Sequence, residues 1–440
     1  MRKLDTIPAP LPSALVSAIQ EGKCIAFVGA GFSGAAKLPG WVQLLNELSQ
    51  QVEPSLRDHL QHLLSQKSGA AFEEAAQVLE DELGQDKLVK HLQSRLTAGN
   101  IPSAMQERLR WLHGIPFRAV LTTNFDTLLH GETPTPTEYR NILRAPRPRW
   151  WDEGFWDPNA CRPPILKLHG DVNDPDSVIF TRRSYRRRLH NDPHFSRVLG
   201  SLFAHYTVLY LGFSFSDAYL NELRSEALAL LGHEISKHPI AFAISNDVPE
   251  RTRTYLEQHE GVCVLSYSSQ AGKDFSGFDQ FLRTLYESTS PLFHFGRLLM
   301  SRRLLWLDRN PENNILINRF FLRAKQEAGL PLSTMDLKQV RTVDEAVTSL
   351  QTAAQEKNPF DLVITQWGHQ KGKEAVAERL LNVMRIQDLR SPVLIFSSNT
   401  DTAERRRLAL ALGAQEYCWE FGGLLRAIER VLGPGIEHEP

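Results

Sequence analysis

Residues 24–34, Cys-Ile-Ala-Phe-Val-Gly-Ala-Gly-Phe-Ser-Gly, limit what this chain can fold into more than any other stretch. An apolar run, Ile25 to Val28, leads directly into Gly29, Gly31 and Gly34. That is the pattern of a buried parallel strand turning tightly into a helix or loop. Glycines at such a turn let backbone N–H groups approach a pyrophosphate that side chains would hold off. The G-x-G-x-x-G spacing also occurs in strand–helix turns that bind nothing, so its meaning depends on what later strands deliver.

Leu11, Leu15, Val16 and Ile19 are spaced for a short helix feeding this strand. After the turn, apolar residues recur at three and four from Trp41 to Leu112, which predicts a helical insertion over about residues 40–113. It holds no Cys/His/Asp/Glu cluster at ligand spacing and reads as packing or a lid. Residues 117–123 form the next apolar run and end in Asn124-Phe125-Asp126. Residues 131–164 are rich in Pro and Trp and read as a long loop. Ile165-Leu166-Lys167-Leu168 then delivers His169-Gly170-Asp171, and Val208–Leu211 delivers Gly212-Phe213-Ser214. Two more strands, at 240–244 and 262–265, alternate with helical patterns at 194–205, 217–232, 249–259 and about 275–289. Such alternation predicts a parallel, Rossmann-like sheet covered on both faces. All its strand ends then project to one edge, where open α/β sheets bind ligands.

Composition narrows the function classes. The 440 residues suffice for two or three domains at roughly 100–200 residues each. Hydrophobic residues at 42% and a formal net charge of −1 describe a globular protein without a field favouring nucleic acid or anionic membrane. Arg182, Arg183, Arg186, Arg187 and Arg188, and again Arg405, Arg406 and Arg407, read as solvated helical faces. Cys24, Cys161, Cys263 and Cys418 stand far apart without a C-x-x-C pair, so neither a zinc ribbon nor a disulfide framework is expected. The N-terminus lacks a signal-peptide core, and no run of about 18 apolar residues occurs. A cytoplasmic protein with no membrane or direct nucleic-acid partner is the expectation.

Taken together, the G-A-G-x-S turn, Thr122-Thr123-Asn124-Phe125-Asp126, Leu168-His169-Gly170 and Gly212-Phe213-Ser214 resemble the sirtuin family, in family order, over roughly residues 20–285. Asn124 and Asp126 taken singly also suit a helix cap. The resemblance implies a pocket for NAD at the sheet's carboxyl edge. By position, Gly29, Ala30, Gly31, Phe32 and Ser33 would hold the phosphates. Asn124 and Asp126, with Thr123 beside them, would surround the nicotinamide and its ribose. His169 would be the general base, and Gly212 and Ser214 would lie on the adenosine side.

Protein-deacylating sirtuins carry a four-cysteine zinc module between the last two motifs, whereas this chain has no cysteine between His169 and Gly212. No zinc is therefore expected, and water becomes the natural acceptor. That pattern, with the helical insertion, is similar to sirtuin-like effectors of bacterial antiviral systems that deplete NAD. The implied activity is hydrolysis of NAD, as substrate, to nicotinamide and ADP-ribose. The alternatives are a protein deacylase or ADP-ribosyltransferase, and a non-catalytic module sensing NAD or ADP-ribose.

From about residue 302 the chain reads as a smaller doubly wound unit of flavodoxin type, after a catalytic domain at 1–290 and a linker at 291–301. Strands are expected at Leu304–Leu307, Phe360–Ile364 and Pro392–Phe396, with helices near 312–328, 343–355, 373–386, 401–412 and 421–432. Residues 302–433 resemble a response-regulator receiver. Only Asp308 of the acidic pair remains, Gln366 stands at the phosphoacceptor position and Glu420-Phe421 replaces Lys-Pro. A glutamine forms no acyl phosphate. The resemblance therefore implies a pseudo-receiver with a regulatory or assembly role, an activating protein or small-molecule signal, and a homo-oligomer.

Overall fold

The computed structural model describes residues 11–131 apart from 67 and 98, then 142, 163–213, 239–270, 274–314, 321, 324, 336–368, 375–397 and 403–433. These residues fall into two compact units, one ending at Thr289 and the other beginning at Ser290. The predicted helix at 217–232, most of that near 312–328 and most of the Pro/Trp-rich stretch lie outside the described residues.

The first unit is built on six parallel strands: β1 Cys24–Val28, β2 Val120–Thr122, β3 Ile165–Lys167, β4 Thr207–Leu211, β5 Ala241–Asn246 and β6 Val262–Tyr267. Their order is β3-β2-β1-β4-β5-β6, the Rossmann arrangement, in which the winding direction reverses between β1 and β4. Every residue of β1 is buried, as a central parallel strand requires. Ile25 and Phe27 face a core shared with Phe195, Leu199 and Leu202 of the helix Pro193–His205. The alternate residues Cys24, Ala26 and Val28 turn to the other face. Against that side the helix Ser13–Gln20 packs with Leu15 and Ile19 buried, and it touches the helix Ser276–Thr289.

Between β1 and β2 lie the helices Trp41–Ser49, Pro54–Ser65, Gly69–Leu83, Gln85–Leu96 and Ser103–Gly114. Apolar spacing in the first four produces one shared core, with Leu45, Leu48, Leu60, Ala75, Leu79 and Leu92 completely or nearly completely buried. Local signals set the ends: Ser68 Oγ accepts from the Ala71 amide at 3.2 Å and caps Gly69–Leu83. The core also takes in Phe125, Val172, Val178 and Phe180 from the loops after β2 and β3. The insertion is thus seated on the segments that carry the candidate site residues.

The second unit has five parallel strands: β7 Arg303–Leu307, β8 Asp336–Val340, β9 Leu362–Thr365, β10 Val393–Phe396 and β11 Glu416–Cys418. Their order, β11-β10-β9-β7-β8, is the flavodoxin-like arrangement. Two separate cores, one around Trp306, Ile364 and Ile428 and the other around Leu305, Val363 and Leu380, lie on opposite sides of the alternating strands. Sequence periodicity did not single out β8 and β11, for a physical reason. Both are edge strands; β8 reads Asp-Leu-Lys-Gln-Val with only Val340 buried, and β11 has three residues. Pro291–Leu298, within the stretch read from sequence as a linker, is a helix that contributes Leu292 and Phe295 to the second unit's core. No helix among the described residues is long and apolar enough to cross a membrane.

Candidate active site

The glycine turn sits at the reversal point between β1 and β4. Gly29 N–H donates to Leu211 O at 2.9 Å and Gly31 N–H to Gly212 O at 3.0 Å. A Cβ on Gly29 would lie 2.6 Å from Gly212 O and 2.8 Å from Phe213 Cα. Gly212 has φ +63°, and a Cβ there would meet Phe32 N at 2.3 Å. Glycine is therefore required where the ends of β1 and β4 press backbone to backbone. This differs from the reason read in the sequence, close approach of a pyrophosphate. Gly34 has open space around it. Ala30 and Gly31 are exposed, so the turn offers main chain to the crevice outside the strand ends.

Phe32 and Ser33 turn inward. Phe32 is buried edge-on to Phe278 with ring centroids 6.2 Å apart. Ser33 is 3% exposed, and its Oγ donates to Asp126 Oδ2 at 2.7 Å. That hydroxyl also accepts from Asn124 Nδ2 at 3.1 Å. It is committed to the protein rather than to the open side of the turn, where a phosphate would sit.

Asn124 and Asp126 follow β2 and point together at the glycine turn. Asn124 Nδ2 donates to Gly29 O at 3.2 Å as well as to Ser33 Oγ. Both amide hydrogens are thereby used, which fixes the orientation of the carboxamide. Thr122 Oγ1 accepts from the Asn124 amide at 3.0 Å and donates to Val28 O at 2.9 Å, tying the end of β2 to β1. Asp126 is 4% exposed, and its Oδ1 accepts from the Leu128 amide at 3.1 Å. Burial pushes its carboxyl above the ordinary aspartate range, against the pull of the Ser33 hydroxyl, the Leu128 amide and the nearby Lys167 ammonium. Residues 126–129 form a bend, not a helix, so neither side chain is capping one. Phe125, between them, points the other way into the insertion core. Thr123 is half-buried at the end of β2.

His169 follows β3, which pairs with β2 through Thr122 opposite Lys167. It is half-buried, edge-on to Tyr185 at 5.3 Å between centroids and tilted against Phe125 at 6.2 Å. Trp41 lies over Phe180 at 4.7 Å in the same aromatic wall. Ser214 lies outside the described residues. The structure thus joins Gly29, Ser33, Asn124 and Asp126 by direct hydrogen bonds, sets Gly212 against the turn, and brings His169 in through Phe125.

Three further residues hold this arrangement, and of these only Thr122 belongs to a motif read in the sequence. Thr122 bridges β1 and β2. Arg108, buried in the helix Ser103–Gly114, donates to Phe32 O at 2.8 Å and pairs with Asp279, holding the turn from behind. Lys167 is fully buried at the end of β3. A cation inside the apolar run Ile165–Leu168 was the one available signal. Among the described residues no group of three or more His, Cys, Asp or Glu could hold a metal ion.

Residues 118–265 match the SIR2-like domain. The SIR2-like match spans β2 to β6 and contains Asn124, Asp126, His169 and Gly212; the glycine turn precedes it. The chain is 26% identical over 217 residues to NAD(+) hydrolase ThsA of Enterococcus faecium, covering 48% of this chain and 41% of that protein. It is 24% identical over 257 residues to NAD(+) hydrolase ThsA of Cytobacillus dafuensis, covering 58% and 47%. With Defense-associated sirtuin 2 of Bacillus subtilis it shares 23% identity over 335 residues, 66% of this chain and 30% of that protein. The chain spans less than half the length of each of these curated relatives.

Proposed function

We propose that the first unit hydrolyses NAD at the nicotinamide N-glycosidic bond, and that the chain is a regulated effector that depletes NAD in antiphage defence. One observation carries the reading: Asn124, anchored on the glycine turn at the sheet's reversal point, stands one strand from His169. That is the edge at which open α/β sheets bind ligands. The names of the relatives, NAD(+) hydrolase and defense-associated sirtuin, support it.

In this reading the exposed main chain of Ala30 and Gly31, with Gly212, receives the dinucleotide. The Asn124 carboxamide oxygen is bonded by no described residue and accepts from a ribose hydroxyl or from water. The bond from the ribose anomeric carbon to the nicotinamide nitrogen breaks, and its electron pair leaves with neutral nicotinamide. Water bonds to the anomeric carbon while His169 takes its proton, giving ADP-ribose. Preorganised dipoles such as the fixed Asn124 carboxamide need no reorientation as charge develops. Asp126, with both oxygens engaged, holds Ser33 and the loop rather than the substrate. Phe125, Trp41, Phe180 and Tyr185 make an apolar wall beside the base.

The second unit acts in this scheme as a pseudo-receiver that takes the activating signal, within a homo-oligomer. Asp308 and Gln366 stand at the ends of the adjacent strands β7 and β9, and Gln366 cannot carry a phosphoryl group. The test is NAD consumption by the purified chain, alone and with infected-cell extract. Nicotinamide and ADP-ribose are expected to accumulate, and His169→Ala and Asn124→Ala to abolish both. Full turnover by His169→Ala would overturn the mechanism. Release of nicotinamide only in the presence of an acyl-lysine peptide would point to deacylation instead.

A further inference from the structure

β3 ends in a charge where its neighbours are apolar. Burying an ammonium is costly unless each of its donors is matched. Lys167 meets that condition: Nζ donates to Asp126 O at 2.6 Å, to Phe125 O at 3.3 Å, and to the Asp171 carboxylate. Three donors face three acceptors. Two of these acceptors are the main chain of the Asn-Phe-Asp segment, which no ladder bond of β2 reaches, since that strand stops at Thr122. The third belongs to the loop after β3, where Asp171 Oδ1 also accepts from the Asn173 amide at 2.8 Å. The Val172 amide adds a bond to Phe125 O at 3.2 Å. His169 lies midway between Lys167 and Asp171 in the chain. The ion pair therefore closes the loop that carries His169 and, through the same ammonium, fastens the segment that carries Asn124 and Asp126.

We propose that Lys167, neutralised by Asp171, is a positioning residue that registers His169 against Asn124, an inference that rests on the NAD-cleavage reading. A lysine that only filled the core could be replaced by methionine, which has similar length and no desolvation cost. A lysine that sets the geometry could not, because a shift of about 1 Å in a reacting group costs roughly 10²-fold in rate.

The test compares the full-length chain with Lys167→Met, Asp126→Asn and the double variant, activated in the same way. For Lys167→Met, kcat is expected to fall roughly 10²-fold with KM changed less than about threefold. The double variant should be no slower than the worse single variant within about threefold, since both act on one segment. Amide hydrogen exchange should rise across residues 122–130 and stay unchanged in the helix Pro193–His205. Unchanged turnover, multiplicative losses in the double variant, or unchanged exchange at 122–130 would each overturn the inference. Should Lys167→Met not fold, Lys167→Gln keeps an N–H donor without the charge and carries the same comparison. If the unsubstituted chain never cleaves NAD, the function proposed above fails, and the exchange comparison alone decides whether Lys167 clamps the segment.

Discussion

Gly29, Gly31 and Gly34 look equivalent in the motif but sit in different surroundings. A Cβ on Gly29 meets the main chain of Gly212 and Phe213, which cannot rotate away, whereas one on Gly34 meets nothing. Gly29→Ala should cost about 2–3 kcal/mol in a denaturant melt, within the range of overpacking. Gly34→Ala should stay within about 0.5 kcal/mol of the parent. Equal losses would refute the backbone-contact account. Asp126 supplies a second prediction at this scale. Its folded-state pKa is raised, chiefly by burial, so the folded chain binds more protons there than the unfolded chain. Stability from this group is then present at low pH and is lost as pH rises from the ordinary aspartate range through the raised value. The difference in melting free energy between parent and Asp126→Asn, followed against pH, should show that slope. A pH-independent difference would contradict it.

Elements are held together by side chains that periodicity does not reveal. Arg108 links the helix Ser103–Gly114 to the glycine turn through Phe32 O and to the helix Ser276–Thr289 through Asp279, and stacks over Phe278 at 4.8 Å. Arg108→Met leaves a buried carbonyl and a carboxylate unmatched and should cost about 3 kcal/mol. Asp279 is a third exposed, so Asp279→Asn should cost only about 1 kcal/mol. Chemical denaturation of both variants checks the ranking, and the reverse order would show that Arg108 does not hold the turn. Elements with strong internal signals were legible: the spacing read for 343–355 and 421–432 coincides with the helices observed. Edge strands were not, since β8 buries one residue of five and carries no alternating apolar face.

At the scale of the whole molecule, two sheets with separate cores predict two unfolding events. Calorimetry of the His169→Ala chain should resolve two transitions. NAD at about 100 times its Kd should stabilise one of them by about 2.7 kcal/mol and leave the other in place. A single transition, or an equal shift of both, would count against binding confined to the first unit. The sequence alone determined the class of fold, because an apolar strand ending in glycine and a repeated strand–helix alternation admit little besides parallel sheets. It also marked Asn124, Asp126 and His169, because polar residues at the ends of buried strands are conspicuous. Only the tertiary structure decided what each group does there. Ser33 turns inward to Asp126, Gly29 and Gly31 are demanded by Gly212 while Gly34 is not, and Lys167 is matched by carbonyls 41 and 42 residues away. Those partners come from separate strands, and no local pattern in a chain records which distant backbone atom will end up beside a buried charge.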